Sequence, residues 1–142
     1  MNTEIFVGID ISKEHLDVAF GPDQAPQRFP YTPEGLNRLL AYLQALSPTL
    51  IVLEATGGYE QAVATFLHAR GCPIFLTNPL RAKRWAESVL LRTKTDTVDA
   101  WMLAHFGAAT PTRHLWQPPT PAQAHLQALV RARLALQDDQ QA

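Results

Sequence analysis

The sequence predicts an α/β fold built on a mixed sheet. Two apolar runs, EIFVGID at 4–10 and TLIVLE at 49–54, carry hydrophobic residues on both faces, as strands buried within a sheet do. The segment HLDVAF at 15–20 alternates apolar and polar residues, and a short ISKE turn joins it to the first run. Helix and strand patterns alternate after this hairpin, which is the order that places crossover helices on a sheet.

Turn and capping residues define the remaining elements. Pro30 limits the segment QRFPY to an edge strand, because proline cannot donate to a strand ladder. Thr32 before Pro33 and Glu34 opens a helix, and leucines then recur at helical spacing as far as Leu46. The predicted elements are strands at 4–10, 15–20, 27–31, 49–54 and 72–77 and helices at 33–46, 59–70, 79–88 and 96–108.

The composition indicates one soluble domain. Of the 142 residues, 46% are hydrophobic and 18% are charged, which is typical of a chain that buries a core. The single cysteine, Cys72, excludes an internal disulfide and fits a reducing compartment. The N-terminus does not resemble a signal peptide, and no stretch has the roughly 18 apolar residues of a membrane span. We therefore expect a cytoplasmic protein.

The charge is balanced overall but not along the chain. A formal net charge of −1 gives no overall attraction for nucleic acid. Between positions 81 and 94, however, basic residues outnumber the one acid, Glu87. This cluster is a candidate for contacts with nucleic-acid phosphates, although a solvated helix face explains it about equally well. Its members are Arg81, Lys83, Arg84, Arg92 and Lys94.

Two acidic residues end predicted buried strands. Asp10 closes the first strand, and Glu54 closes the strand at 49–54. In open α/β sheets, ligands bind in the crevice outside the carboxyl ends of the strands. If the two strands are parallel neighbours, both carboxylates lie at that crevice. A buried carboxylate needs a partner, because its loss of hydration is heavily penalised.

A second acidic pair occurs in the stretch KTDTVDA, which leads into the apolar run WMLAHF. Asp96 and Asp99 are three positions apart and therefore share one face of a helix. With about 100° per residue, Asp99 falls within the apolar arc of the helix at 96–108 and Asp96 at its edge. We therefore expect Asp99 to face the core, where a carboxylate either pairs with a base or binds a metal ion.

Each acid also has an ordinary structural interpretation. Asp96 could cap its helix, Glu54 could pair with Lys94 or Arg92, and Asp10 could belong to a turn. Together, the four acids are harder to explain without a cation. Mg²⁺ or Mn²⁺ takes oxygen ligands, and two such ions about 4 Å apart can stabilise both the attacking and the leaving oxygen of a phosphodiester displacement. The pattern predicts such a metal site.

Other candidates are weaker. The loop Thr56-Gly57-Gly58 could approach a phosphate, although a plain tight turn is as good an explanation. Trp85 and Trp101 could stack on bases, but packing in a core or an interface is the commoner role. Cys72 has no evident base beside it. None of the histidines shows metal-ligand spacing: His15, His68, His105, His114 and His125.

Four segments in order resemble a known family. GIDISKEHLDVA, LEATGGYE, NPLRAKRWAES and KTDTVDAWMLAHFG resemble the N-terminal domain of the DEDD transposases, which are insertion-sequence and Piv-type DNA recombinases. The resemblance covers roughly residues 4 to 108. It implies a RuvC-like, RNase H-type domain at 1–110 with a mixed sheet of about five strands and helices on both faces. A Pro-rich linker at 111–119 and a helical arm at 120–142, the start of a coiled coil, would follow.

The resemblance also implies a chemistry. The four acids that give the family its name correspond to Asp10, Glu54, Asp96 and Asp99, which would hold Mg²⁺ or Mn²⁺ and cleave and transfer DNA strands. Some members use a structured guide RNA, and full-length proteins form dimers and tetramers. Members also carry a C-terminal domain with a nucleophilic serine. This sequence has no counterpart of that domain, so we expect a fragment that does not exchange strands alone.

Three alternatives remain open from the sequence. A stand-alone RNase H-fold junction resolvase or nuclease would use the same acids without a second domain. An actin-like ATPase or sugar kinase also begins with a strand and an Asp-containing hairpin, but such folds need a second similar half, and 142 residues are too few. A non-catalytic domain that binds RNA or forms oligomers would retain the acids without using them. Metal binding separates this last class from the enzymes.

Overall fold

A computed structural model describes residues 4–21, 25–89, 99–110 and 114–141. Its centre is a five-stranded sheet in the order β3-β2-β1-β4-β5. The β1–β2 and β2–β3 pairs are antiparallel, and the β1–β4 and β4–β5 pairs are parallel. The strands are β1 (Phe6–Ile11), β2 (His15–Phe20), β3 (Gln27–Pro30), β4 (Leu50–Glu54) and β5 (Ile74–Thr77), and the helices are α1 (Pro33–Leu46), α2 (Glu60–His68), α3 (Pro79–Ser88), α4 (Ala100–Ala109) and α5 (Pro121–Gln141).

The predicted fold class is confirmed. Helices cover both faces of the mixed sheet, and the sheet side chains divide between two apolar clusters. One cluster joins Val7, Ile9, Ile51 and Leu53 to α1 and α2. The other joins the opposite face of β4 and β5 to α3 and α4. Because β1 and β4 are apolar on both faces, they occupy the middle of the sheet, as the sequence pattern predicts.

The elements begin and end close to their predicted positions. Thr32 caps α1 by accepting a hydrogen bond from the Gly35 amide at 3.0 Å, and Pro33 stands at the first helical position. Ser47 ends the helix in a left-handed conformation with φ of 50°. Two differences affect the site: β1 continues one residue beyond Asp10, and α4 begins at Ala100 rather than at position 96.

Helix α4 approaches the sheet most closely at Gly8. A methyl group at this position would lie 2.7 Å from the Ala104 nitrogen and 2.9 Å from the Leu103 Cβ, and it would collide with the Ala100 carbonyl oxygen. The absence of a side chain at Gly8 therefore allows the backbone of α4 to rest on β1. This contact brings the N-terminal end of α4 close to the carboxyl end of β1.

The proline-rich segment after α4 contacts the domain. The Trp116 amide donates to the Ile74 carbonyl oxygen at 2.6 Å, and its ring meets the His68 ring edge-on with centroids 5.6 Å apart. Trp116 thus covers the outer edge of β5. Helix α5 follows with exposed apolar side chains at Leu126, Leu129, Val130, Leu134 and Leu136. Across the described segments, no helix is both long and apolar enough to span a bilayer.

We predict that Gly8→Ala lowers the free energy of unfolding by about 3 kcal/mol, because its methyl group can be accommodated only if α4 moves away from β1. Urea denaturation measures the change. The control is Gly71→Ala, where a methyl group meets nothing within 4 Å and only the φ of 82° is unfavourable. The control should lose about 1 kcal/mol. Equal losses in the two variants would contradict the close packing of α4 on β1.

Candidate metal centre

Parallel pairing of β1 and β4 places two acidic residues side by side. Ile9 pairs with Leu53, so Asp10 and Glu54 are the next residues along the two strands. Side chains alternate between the faces of a strand, so Asp10 lies on the face of Gly8, which is covered by α4. Glu54 lies on the same face, since Val52 contacts α4 at Gly107. Both carboxylates are partly buried, as expected for two acids at strand ends.

These two acids belong to a line of polar residues that crosses the whole sheet. Asp10 pairs with Asp17 of β2, Asp17 pairs with Arg28 of β3, and Glu54 pairs with Thr77 of β5. Directly paired residues in a sheet project from the same face and lie within interaction distance. The polar row therefore consists, in order across the sheet, of Arg28, Asp17, Asp10, Glu54 and Thr77.

Asp99 approaches the polar row from α4, but it does not face the core. Its backbone is extended (φ −80°, ψ 172°), and its Oδ1 accepts a hydrogen bond from the Met102 amide at 2.9 Å. Asp99 is therefore the N-cap of α4 and is exposed, which corrects the prediction from helical periodicity. The helical wheel assumed a helix from position 96. Asp96 was a candidate for the cap of this helix. Asp99 is the cap of α4, and the helix begins at Ala100.

The carboxylates of this region destabilise one another in their charged forms. Burial raises the pKa of Asp10, and the negative charges of Asp17 and Asp99 raise it further, while Arg28 lowers it. Burial also raises the pKa of Glu54, and the charge of Asp10 adds to this effect. Asp10 therefore feels Asp17, Asp99 and Glu54 together, and it is the electrostatic centre of the acidic group.

Arg28 and Asp17 form an ion pair that the sequence analysis did not identify. The Arg28 Nε lies 2.8 Å from Asp17 Oδ1, and one terminal nitrogen lies 3.2 Å from Oδ2. This two-point contact partly neutralises an acid that stands directly opposite Asp10, where like charges are unfavourable. Counting outward from the ISKE turn at 11–14 would pair Asp10 with His15, whereas the structure pairs Ile11 with Leu16 and Asp10 with Asp17, so the sequence alone did not predict this contact.

Glu60 was also missed, and it fixes the loop that follows Glu54. Its Oε2 accepts hydrogen bonds from the Thr56 amide (3.1 Å), the Thr56 hydroxyl (3.0 Å) and the Gly58 amide (2.9 Å). Burial opposes ionisation of Glu60, but these hydrogen bonds and one from its own backbone outweigh it, so the pKa of Glu60 is lowered. The buried Glu60 carboxylate therefore fixes the conformation of the Thr56-Gly57-Gly58 turn.

The predicted basic cluster is described only in part. Arg81 and Arg84 are exposed on α3, which starts directly after β5 at the same edge of the sheet as the acids. Lys83 is partly buried on the same helix. Three predicted site residues lie outside the described residues: Arg92, Lys94 and Asp96. The structure thus places Asp99 and Glu54 each within electrostatic reach of Asp10, and it places Arg81 and Arg84 on α3.

No described group of three His, Cys, Asp or Glu side chains converges tightly enough to hold a metal ion. The acids supply only oxygen donors, and the polar row includes no sulfur or imidazole ligand. Such a donor set suits a hard divalent cation rather than zinc or copper. The mutual repulsion of Asp10, Asp99 and Glu54 is the kind that a cation would relieve. The donor atoms of the described residues are therefore of the kind that a divalent ion binds, and Asp10 and Glu54 form the central pair.

Sequence comparisons identify the relatives of this chain. A family model of the DEDD transposases, described as "Transposase", matches residues 7–142. The pilin gene-inverting proteins of Moraxella lacunata and Moraxella bovis are each 32% identical to this chain over 137 residues. These alignments cover 92% of this chain and 42% of each relative, so the chain spans about two fifths of their length.

A solved structure shares the fold. The chain resembles T. thermophilus RuvC, whose structure was determined in complex with a Holliday junction substrate, with a TM-score of 0.55 and 19% sequence identity. The match covers 80% of this chain and all of the RuvC chain. The sheet is therefore RuvC-like, as the sequence resemblance implied. With the family model matching nearly its whole length and two relatives at 32% identity, the chain belongs to the DEDD transposase family.

Proposed function

We propose that this chain is the metal-binding catalytic domain of a site-specific DNA recombinase, which cleaves and transfers phosphodiester strands. The observation that carries the proposal is the juxtaposition of Asp10 and Glu54 at the carboxyl edge of a RuvC-like sheet, where burial raises the pKa of each and the charges of neighbouring acids raise both pKa values further. Carboxylates placed in this way are unfavourable for stability alone. Perturbed pKa values of this kind are common at functional sites.

Mg²⁺ or Mn²⁺ would be held by Asp10, Glu54 and Asp99, with Asp96 as the fourth acid of the family pattern. Asp10, at the electrostatic centre, would be shared between two ions, and Glu54 and Asp99 would each complete one of them. Asp99 Oδ1 is engaged by the Met102 amide, so Oδ2 is the oxygen that it offers to a cation. When bound, the ions polarise the phosphate and lower the pKa of an attacking water.

The protein's own residues would position these carboxylates. The β1–β4 register sets the spacing of Asp10 and Glu54, and the capping bond to Met102 fixes the Asp99 rotamer. Glu60 holds the loop after Glu54 in one conformation through its three bonds to Thr56 and Gly58. These contacts hold each carboxylate in place, and a cation would draw the carboxylates closer together, since the described acids do not converge tightly enough without it.

DNA is the proposed substrate. The two curated relatives are named for inverting a pilin gene, and RuvC was solved with a DNA junction. The exposed Arg81 and Arg84 of α3, with Lys83, Arg92 and Lys94, would contact phosphates beside the acids. Because the chain spans 42% of its relatives, complete strand exchange, guide-RNA use and assembly into dimers or tetramers are proposed for the full-length recombinase.

A stand-alone junction nuclease is the second candidate, and the RuvC-like fold is the observation in its favour. The two activities predict different behaviour of this chain. A nuclease would cleave branched DNA in Mg²⁺ without another protein segment, whereas a recombinase domain that shares its site with a second domain would bind the ion and leave the DNA intact. The sequence similarity to gene-inverting proteins favours the recombinase.

We predict that Asp10 and Glu54 make the metal-free protein more stable as the pH falls, whereas Glu60, whose pKa is lowered, acts in the opposite direction. Raised pKa values mean that folded Asp10 and Glu54 hold protons that the unfolded chain has released, so their contribution to stability declines as the pH rises above the ordinary values of 3.8 and 4.5. Asp10→Asn should add roughly 0.5 to 1 kcal/mol at neutral pH and reduce this slope. Urea denaturation in the presence of a chelator, at neutral and at mildly acidic pH, measures the free energy of unfolding and its change with pH. Glu4→Gln, a change at a distant acid, is the control. Identical slopes in parent and variant would show that the acids do not repel one another.

Calorimetric titration with Mn²⁺ tests the metal site. The parent chain should show saturable binding, and Asp10→Asn and Glu54→Gln should each weaken it by at least about tenfold, because each removes an oxygen ligand. Asp17→Asn is the comparison variant: Arg28 already occupies both oxygens of Asp17, so only the charge near Asp10 changes, and the affinity should fall much less than when a ligand is removed. Absence of binding to the folded parent would refute a metal site in this chain.

Charge reversal on α3 tests the DNA surface. Arg81→Glu and Arg84→Glu should weaken DNA binding, and the removal of each bond to a phosphate should reduce the slope of log affinity against log salt by about 0.9. Fluorescence anisotropy of labelled duplex DNA over a range of salt concentrations gives both quantities. Arg38→Glu, an exposed change on α1, is the control. If all three variants respond alike, net charge rather than α3 determines the binding.

A further inference from the structure

A pocket of about 370 Å³ lies beside the acids, between the hairpin and the start of α4. It falls within the range of roughly 300 to 1,000 Å³ that is usual for small-molecule sites. Two of the proposed metal ligands form part of its wall, yet the proposed metal centre does not use its other side chains. The pocket is lined by Asp10, Asp17, Pro26, Arg28, Asp99, Ala100 and Trp101.

Trp101 gives this pocket a fixed aromatic surface. It is the second residue of α4, and its ring lies against that of His105, with centroids 4.0 Å apart and the planes inclined by 36°. The His105 Nδ1 in turn lies 3.1 Å from the Trp101 carbonyl oxygen. Trp101 is only partly buried. An indole supported by its own helix and open to a polar pocket is arranged for stacking on a planar group.

Among the described residues that line the pocket, Arg28 is the only one with a positive charge. A guanidinium has five N–H donors, and the two hydrogen bonds to Asp17 leave three of them for another acceptor. Its side chain is 64% exposed, so a ligand can reach these donors without breaking the ion pair. Arginine donors of this geometry suit a phosphate, to which they can bond at two points.

We propose that this pocket is a nucleotide subsite, in which Trp101 stacks on a base of single-stranded DNA and Arg28 holds its phosphate. The inference rests on the proposed function, since it places an unpaired nucleotide next to the phosphate that the metal centre would cleave. The acidic side chains of the pocket repel a free anion unless a cation is bound beside it. The face of a base is neutral and is not repelled in this way. Asp10 and Asp99 belong to both sites, so the subsite and the metal centre are contiguous.

The test compares normal and abasic DNA. Fluorescence anisotropy with a labelled single strand of about 12 nucleotides in Mg²⁺ gives the affinity; this length falls within the roughly 4 to 16 nucleotides that OB-fold single-strand-binding domains contact. Trp101→Leu should weaken binding of the normal strand by about 5- to 100-fold, and Trp101→Phe should retain most of the affinity. Binding of a fully abasic strand should be unaffected by Trp101→Leu, because no base remains to stack. A purely structural role of Trp101 would weaken both strands equally.

Arg28→Gln tests the phosphate contact. It should lower affinity for the normal and the abasic strand alike and reduce the salt slope by about 0.7, as expected for one contact to single-stranded nucleic acid. Arg38→Gln on α1 is the matched control and should change neither quantity. An unchanged salt slope in Arg28→Gln would remove Arg28 from the subsite.

The outcomes separate this inference from the proposed function. If the parent chain binds DNA but Trp101→Leu binds the normal strand equally well, the subsite is refuted and the metal-dependent recombinase stands. If the parent binds neither DNA nor Mn²⁺, the proposed function itself fails. If an RNA strand of the same sequence binds more tightly through Trp101, the assignment of the subsite to DNA is overturned.

Discussion

The parallel pairing of β1 with β4 is the constraint on which the site depends. Its register places Asp10 and Glu54 on adjacent strands and on one face, and it is held by the apolar residues that precede them, including Val7, Ile9 and Leu53. Slipping one strand by a residue would turn those side chains to the opposite face and separate the acids. Burial of the core therefore supplies the free energy that opposes the repulsion of the two carboxylates.

A second constraint is the close approach of α4 to β1 at Gly8. This approach places Asp99, which belongs to the helical layer, close to the polar row of the sheet. One Asp99 carboxylate oxygen caps the helix. Opposite Asp10, the Arg28–Asp17 pair limits the charge that accumulates. The site thus combines strand register, a helix terminus and a hairpin ion pair. Strand register contributes two carboxylates, the helix terminus contributes one, and the ion pair neutralises one.

Sequence patterns were sufficient for the fold and for part of the site. Apolar runs and capping residues located the strands, the start of α1 and the acids at the ends of β1 and β4, because these depend on local chemistry and on burial. Periodicity failed at Asp99, since it cannot tell an N-cap from the first turn of a helix. Asp17 and Arg28 escaped notice because their importance depends on cross-strand register, which appears only when the hairpins are paired residue by residue.

The order of residues in the polar row determines how positive and negative charge are distributed along it. The row begins with the exposed cation Arg28, passes through three acids at Asp17, Asp10 and Glu54, and ends at the buried Thr77. Beyond Thr77, α3 adds Arg81 and Arg84. Exposed cations thus lie at one end of the row and on the helix that follows its other end, although the chain as a whole carries a formal net charge of only −1. A polyanion drawn to both groups of cations would have to cross the acids, where its phosphates are repelled unless a cation intervenes. Under the proposed function, this arrangement would make the close approach of a DNA phosphate dependent on a bound cation.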